Sequence, residues 1–235
     1  MKSLFDGFFP EEVLTLVSDR SVDFTLRDVH SPLTIAQARY LAAHAGRPIE
    51  RLFNFRQVHG RRVLFLSEKN IEKVSGERLA DGVITAGANV PLTVRTADCL
   101  SIFLYDKKHR GIGLIHAGWQ GTRKKIVLAA LGLMQKKFGT KPKDVLAAFG
   151  PSIKTCCYQV GKEFFRIFPQ AVEQRHGSWY LNLLLVNQRH LLEAGLKRRQ
   201  IFDCGLCTGC SPRFFSYRRE GERAGRMLSL MMLRE

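Results

Sequence analysis

Three short stretches of the chain place a reactive side chain where an apolar run meets a turn. They are RQVHG with His59, RTADCL with Cys99, and IHAGW with His116. Two imidazoles and a thiolate are a suitable ligand set for Zn²⁺, and three protein ligands leave a fourth position for water or substrate, as in catalytic zinc sites. The same side chains also suit a cysteine nucleophile with a histidine base. The residue types alone leave both chemistries open.

His116 lies at a change of local pattern. The residues GIGLI before it predict a buried strand, and TRKKIVLAALGLMQKKFG, which begins at Thr122, predicts an amphipathic helix with lysines mostly off its apolar stripe. Positions where a strand ends and the chain turns commonly carry functional side chains.

Two further motifs suggest chemistry near the end of the chain. In CGLCTGC, Cys204, Cys207 and Cys210 follow the spacing of part of an iron–sulfur run, but a fourth cysteine followed by proline is missing. An iron–sulfur cluster is therefore the weaker metal hypothesis. The segment FFSYRREGERAGR contains four arginines, Arg218, Arg219, Arg223 and Arg226, whose guanidinium groups suit binding of phosphate or carboxylate. The alternative interpretation is that the segment is an exposed edge strand whose charges prevent aggregation.

The first half of the chain predicts one helix followed by a series of strands. SPLTIAQARYLAAHAG predicts a helix capped by Ser31, with Pro32 at its first position, Ile35 on its apolar face and Gly46 at its end. Strands are then predicted in RLFNFRQVHG, RRVLFLS, DGVIT, PLTVRT, LSIFLYD and GIGLIHA, and DKKHRG predicts the turn of a hairpin. Successive strands with short connections favour a mixed or antiparallel sheet flanked by helices, an α+β fold.

The second half alternates strands and helices. Strands are predicted in DVLAAFG and WYLNLLL, and helices in KEFFRIF and NQRHLLEAGLKRR. Three further segments complete the chain: QIFDCGL, FFSYRRE and MLSLMML. We find no internal repeat and no linker, so we expect one domain over residues 1–235.

Composition narrows the function classes. The chain has 235 residues, 45% of them hydrophobic, and no apolar run long enough to span a membrane, so we expect a cytoplasmic protein with reduced thiols. The formal net charge of +16 is typical of nucleic-acid binders, although the basic residues are spread over several segments without a binding motif. Nucleic-acid binding is therefore a secondary hypothesis.

Taken in order, these motifs resemble the YfiH-like "laccase domain" family, also called the multicopper polyphenol oxidase or purine nucleoside phosphorylase family. The resemblance covers about residues 50–235 and includes QVHG, DGVIT, VRTADCL, IHAGWQGT, GPSIKTCCYQVG, CTGC and FFSYRREGERAGR. It implies a single α/β sandwich and a zinc ion bound by His59, Cys99 and His116, with copper the less favoured metal.

The resemblance also implies an activity. Family members look like phosphorylases of adenosine, inosine, guanosine or methylthioadenosine that also deaminate adenosine, so purine nucleoside and phosphate are the expected ligands. Phosphorolysis needs an anion held beside the sugar, and Arg27, Arg95 and Arg218 are the candidates for it. Copper-dependent oxidation of phenols, suggested by the family's older name, would need clustered histidines, and the chain has seven scattered ones.

The chain departs from the family after FTLR. The family has a glycine-rich stretch and an SLNL segment there, whereas this chain passes from FTLRDV almost directly into SPLTIAQARYL. Arg27 still matches, but the residues that help to wall the family's pocket are missing.

Overall fold

The computed structural model describes residues 4–49, 52–67 and 79–235, which contain both strands and helices. The strands are β1 Val13–Val17, β2 Val63–Leu66, β3 Gly82–Thr85, β4 Leu92–Thr96, β5 Leu100–Asp106, β6 Gly111–Ala117, β7 Val145–Phe149, β8 Gln159–Val160, β9 Val172–Arg175, β10 Ser178–Leu181, β11 Ile201–Asp203 and β12 Met227–Leu233. The helices are α1 Ile35–Ala45, α2 Trp119–Arg123, α3 Ile126–Phe138, α4 Phe164–Ile167, α5 Leu183–Glu193 and α6 Tyr217–Glu220. Short 3₁₀ turns cover Pro142–Asp144, Arg198–Gln200 and Gly221–Arg223.

The largest sheet has six strands in the order β11-β7-β5-β6-β3-β2. The two outer pairs, β11 with β7 and β2 with β3, are parallel, and the inner pairs are antiparallel. β5 and β6 form the predicted hairpin, with Leu100 opposite Ala117. The expected α+β fold with a mixed sheet is confirmed.

A second sheet packs on the first. Its three strands lie in the order β1-β12-β4, all antiparallel. Phe103 and Leu114 of the large sheet and Val94 and Met231 of the small one belong to one buried cluster between the sheets. Because side chains alternate along a strand, the opposite faces are left for helices.

Helices cover both outer faces. Ile102 and Ile115 pack with α3 and α5, whereas Leu228 and Leu230 pack with Leu41 of α1. The result is a four-layer arrangement of helix, sheet, sheet and helices. No helix in the described ranges combines the length and apolarity that crossing a bilayer would require.

Several predicted boundaries were wrong. Helix α1 begins after Thr34, whose side chain accepts from Gln37 in a capping box, so Ser31 is not the cap and Pro32 precedes the helix. Ile35 is 73% exposed instead of facing the core. Because Thr34 followed by Gln37 satisfies two helix-end donors reciprocally, it outcompetes the earlier serine.

The helix predicted from Thr122 is two helices. Lys125 adopts a left-handed conformation with φ 58°, which ends α2 and caps α3. The predicted strand RLFNFRQVHG, whose first residue Arg51 lies outside the described residues, forms only a bridge between Arg56 and Leu79.

In the second half, WYLNLLL is divided because the Asn182 side chain caps α5. FFSYRRE contains helix α6 and is not an edge strand. β1, which we did not predict, is a strand because the closing strand β12 pairs with it.

Candidate functional site

Three of the chemistry-bearing residues meet at one end of the large sheet. Cys99 directly precedes β5, His116 is the next-to-last residue of β6, and Asp81 directly precedes β3. Because β6 runs antiparallel to both β3 and β5, the starts of β3 and β5 lie beside the end of β6. Sheet topology alone therefore assembles this group.

Asp81 organises the site, and sequence reasoning missed it. Its buried carboxylate accepts the His116 Nδ1 at 2.8 Å and the backbone N–H groups of His59 at 2.8 Å and Gly60 at 2.6 Å. These hydrogen bonds outweigh the effect of burial and hold the pKa of Asp81 below its usual range. One carboxylate thus orients a buried imidazole and fixes the loop that carries His59. The available signal was the aspartate at the start of the predicted strand DGVIT.

His59 approaches from that loop. Its backbone is left-handed, with φ 56°, a conformation that asparagine, aspartate and histidine tolerate better than most residues. Its ring lies edge-on to His116 with centroids 4.8 Å apart. His59 is exposed and His116 is buried, so the site opens to solvent on the His59 side.

The ligand atoms of His59, Cys99 and His116 all lie within 4.8 Å of one another. Gly118 makes room for them, because a Cβ there would come within 3.0 Å of both the Cys99 Sγ and the His59 Cδ2. Since Asp81 occupies the Nδ1 of His116, the Nε2 is left for a metal, which is the usual arrangement around histidine ligands. The donor set therefore fits Zn²⁺.

The same contacts polarise the thiol. Burial opposes ionisation of Cys99, but the His116 charge and hydrogen bonds from both imidazoles prevail and lower the pKa of Cys99 to about 6. Burial likewise disfavours the imidazolium, but the Cys99 thiolate and Asp81 prevail and raise the pKa of His116 to about 9. Without metal, the residues form a thiolate–imidazolium pair near neutral pH.

A cavity of about 650 Å³ opens over this group, within the range of small-molecule sites. His59, Cys99 and His116 lie on its wall, together with residues from distant segments: Phe55, Asp98, Tyr158, Tyr217, Arg95 and Arg218. Burial beside the Cys99 and Asp98 charges raises the pKa of the Tyr158 phenol, which therefore stays protonated at neutral pH.

The three predicted anion-binding arginines lie in different places. Arg95 and Arg218 line this cavity, whereas Arg27 lines a broader neighbouring cavity that also contacts Arg95. The Arg95 guanidinium donates to the Phe24 carbonyl and to Asn54, and in the described part of the chain it pairs with no carboxylate. Burial lowers the pKa of Arg95 to about 10, so it remains charged at neutral pH.

Asp98 positions neighbouring groups. Its carboxylate accepts the Thr208 hydroxyl at 2.6 Å and the Arg218 backbone N–H at 2.7 Å. The Arg218 guanidinium donates to the Gln159 carbonyl and lies over the Tyr158 ring. Asp98 lies on the turn between β4 and β5, where its φ is 87°.

The other arginines of the closing motif differ in role. Arg219 donates to the carbonyls of Thr208, Gly209, Ser211 and Phe214, which ties the preceding loop together. Arg226 lines the cavity, and its guanidinium also donates to backbone carbonyls. Arg223 is exposed.

The cysteines do not form the grouping that the iron–sulfur hypothesis required. Cys204 lies apart, while Cys207 and Cys210 meet Cys156 and Cys157 from another loop. The CGLCTGC spacing therefore wrongly included Cys204 in a thiol cluster and gave no sign of Cys156 and Cys157.

Comparisons with known proteins agree with this architecture. The family model for "multi-copper polyphenol oxidoreductase laccase" matches residues 20–234. A purine nucleoside phosphorylase of Bacteroides thetaiotaomicron is 33% identical over 75% of this chain and 71% of its own length. One from Aquifex aeolicus is 34% identical over 78% of this chain and 89% of its own. The crystal structure of YlmD from Geobacillus stearothermophilus superposes with a TM-score of 0.81 and 26% identity, covering 96% of this chain and 93% of that one.

Proposed function

The chain belongs to the multi-copper polyphenol oxidoreductase laccase family, and from that membership and the site we propose that it is a zinc-dependent purine nucleoside phosphorylase. The observation that carries the proposal is the convergence of His59, Cys99 and His116 on the wall of a cavity of about 650 Å³. Two of the three predicted anion-binding arginines, Arg95 and Arg218, line the same cavity. Adenosine, inosine, guanosine and methylthioadenosine are the proposed substrates, with deamination of adenosine as a second activity of the same site.

His59, Cys99 and His116 would hold the zinc ion, and Asp81 would fix the orientation of His116. Bound there, zinc would act as a Lewis acid toward an oxygen of the substrate or of water. The trio offers one thiolate, which soft divalent metals prefer, and two imidazoles.

Phosphorolysis breaks the bond between the anomeric carbon and the base, and phosphate oxygen takes the place of the base. Arg218 and Arg95 supply positive charge for the phosphate on the wall that carries the metal ligands, with Arg27 as a third candidate on the neighbouring cavity. Guanidinium groups bind phosphate with two parallel hydrogen bonds, which orients as well as attracts it.

The departing base needs a proton or a hydrogen bond. Tyr158 lines the cavity, and because its pKa is raised its hydroxyl stays protonated at neutral pH and can donate a hydrogen bond to the base. Asp98 is unsuited to this task because both of its oxygens already accept hydrogen bonds from the protein. We therefore assign Tyr158 to the base and Asp98 to positioning Arg218.

The test is product analysis with adenosine, because three chemistries give three outcomes. Zinc-loaded protein should convert adenosine and phosphate into adenine and ribose 1-phosphate, with inosine as a minor product. Omission of phosphate should stop adenine formation but not inosine formation. Adenosine left unchanged by folded, zinc-loaded protein would contradict the proposal.

A second candidate function rests on the Cys99–His116–Asp81 chain of contacts. A thiolate paired with an imidazole whose other nitrogen meets a carboxylate is the arrangement of cysteine hydrolases. The two candidates differ in their response to chelators. Zinc removal should abolish phosphorolysis, whereas a cysteine hydrolase should gain activity when its thiolate is freed.

Oxidation of phenols, the activity that the family is named for, is the third alternative. His59 and His116 are the histidines that belong to a cluster of metal-ligating side chains in the described ranges. Copper-loaded protein that oxidises a phenol faster than zinc-loaded protein cleaves inosine would favour this alternative.

A further inference from the structure

Four cysteine thiols converge at a second place, outside the cavity described above. Cys156 and Cys157 come from the loop after β7, and Cys207 and Cys210 come from the loop after β11. Their sulfurs all lie within 4.8 Å of one another, with Cys210 Sγ 3.3 Å from Cys156 Sγ and 3.2 Å from Cys157 Sγ. Two separate loops thus contribute two thiols each to a single cluster.

Both pairs lie on tight turns, which explains how their side chains converge. The N–H groups of Cys157 and Tyr158 both donate to the Lys154 carbonyl, so the backbone at Cys156 curls instead of extending. On an extended strand, adjacent side chains would point in opposite directions. In the second loop, the Ser211 N–H donates to the Cys207 carbonyl, which closes a turn around a Cys-x-x-Cys spacing.

The two loops are fitted to each other. Ser152 and Cys207 form a parallel bridge, and the Lys154 N–H donates to the Cys207 Sγ at 3.4 Å. A Cβ at Gly209 would come within 2.7 Å of the Cys157 Cβ, so glycine is required at that position for the close approach. Backbone N–H donation to a sulfur stabilises its thiolate form.

We propose that these four cysteines form a tetrathiolate site for a single Zn²⁺ ion, separate from the site at His59, Cys99 and His116. Four cysteine thiolates in a tetrahedral arrangement, which leaves no coordination position open on the metal, are a common ligand set of structural zinc. On binding, the thiol protons pass to solvent and four Zn–S bonds form, with no change of oxidation state. The resulting negative charge is accommodated on a chain whose net charge is +16.

Zinc at this site would hold together two loops that carry residues of the functional cavity. Tyr158 directly follows Cys157 and lines that cavity. Thr208 lies between Cys207 and Cys210, and its hydroxyl donates to Asp98, which holds the backbone of Arg218. Zinc would therefore fix the loops that place Tyr158 and Arg218, independently of which reaction the cavity performs.

The experiment uses the full chain with Cys99→Ser, which removes a ligand of the first site. This protein should bind about one zinc per chain. Addition of Co²⁺ to the metal-free form should give the intense sulfur-to-cobalt absorption of four thiolates in a tetrahedral field. Cys207→Ser and Cys210→Ser in the same background should lose both signals. Cys204→Ser is the matched control, because Cys204 belongs to the same CGLCTGC run but not to the cluster, and it should keep both.

A measurement on the unmutated chain covers the case in which a variant fails to fold. A mercurial reagent that titrates thiols should release zinc in step with the reaction of the four clustered cysteines, identified by peptide mapping. Folded Cys99→Ser protein that binds neither zinc nor cobalt would overturn the proposal. So would equal metal loss in the Cys204→Ser control, a disulfide joining Cys210 to Cys156 or Cys157 in protein kept under reducing conditions, or iron with the visible absorption of a cluster.

Discussion

Replacing Asp81 by asparagine tests the organisation of the site most sharply, because the amide keeps the size of the carboxylate and removes its charge. One of the two oxygens becomes an NH₂ group. Placed at the Oδ2 position, it faces the Gly60 N–H donor, and placed at Oδ1 it faces the donors of His59 and His116. Either way, at least one buried or partly buried donor loses its acceptor, which costs about 1–3 kcal/mol of folding free energy.

The effect on the metal should be separate from the effect on folding. Carboxylates behind histidine ligands typically change metal affinity by about 10–100-fold, or about 1.4–2.7 kcal/mol. We expect a loss of zinc affinity in this range for Asp81→Asn. The assay is competition with a chromogenic chelator, in a Cys207→Ser background so that the four-cysteine cluster does not contribute.

The chain offers a matched control in Asp106. Its buried carboxylate also accepts two backbone N–H groups, those of Lys108 and His109, and meets the His109 Nδ1 at 2.9 Å, but it lies at the opposite end of β5. Asp106→Asn should lower the melting temperature comparably and leave zinc affinity unchanged. Equal zinc affinity in the Asp81→Asn and wild-type proteins, or an equal loss in both variants, would refute the role given to Asp81.

Three further predictions test the electrostatics, the packing and the anion site. In metal-free protein, iodoacetamide should alkylate Cys99 with a midpoint near pH 6. Cys204 is the control, because burial raises its pKa to about 11 and it should react only at alkaline pH. A Cys99 midpoint above about pH 8, near that of an ordinary thiol, would contradict the thiolate–imidazolium pair. Gly118→Ala should weaken zinc binding about tenfold, because the added Cβ crowds two of the ligands. At Gly132 a Cβ meets nothing within 4 Å, so Gly132→Ala should raise the free energy of unfolding by about 1 kcal/mol, as measured by urea unfolding. Arg218→Ala should raise the KM for phosphate about tenfold with a smaller change in the KM for inosine, as expected for loss of one charge-assisted contact, and an unchanged phosphate KM would exclude Arg218 from the anion site.

The pH range of the metal-free pair follows from its two pKa values. The pKa of Cys99 is lowered on folding, so its contribution to stability is lost as pH falls through about 6. The pKa of His116 is raised on folding, so its contribution is lost as pH rises through about 9. Metal-free protein should accordingly gain stability from the pair between these limits.

Part of the site could be predicted from sequence because hairpin register is local. Once DKKHRG is taken as the turn between β5 and β6, counting back along both strands places Ser101 opposite His116, with Cys99 just beyond the start of β5. His59 could not be placed in this way. Its position depends on the Asp81 side chain, which reaches across from the start of another strand.

Long-range pairing explains the remaining errors. β1 is a strand because β12, more than two hundred residues later, pairs with it. The four-cysteine cluster joins Cys156 and Cys157 to loop residues about fifty positions away, so no spacing rule within CGLCTGC could include them. Periodicity reports which face of an element is apolar, and tertiary contacts decide which loops meet.

The most direct test of the account is phosphate-dependent cleavage of inosine by zinc-loaded wild-type protein and by the Cys99→Ser variant. The variant keeps the four-cysteine cluster but lacks one ligand of the first site. We predict equal amounts of hypoxanthine and ribose 1-phosphate from the wild type and loss of both products in the variant. Equal turnover by the two proteins, or none by zinc-loaded wild type, would contradict the assignment of this cavity as the site of phosphorolysis.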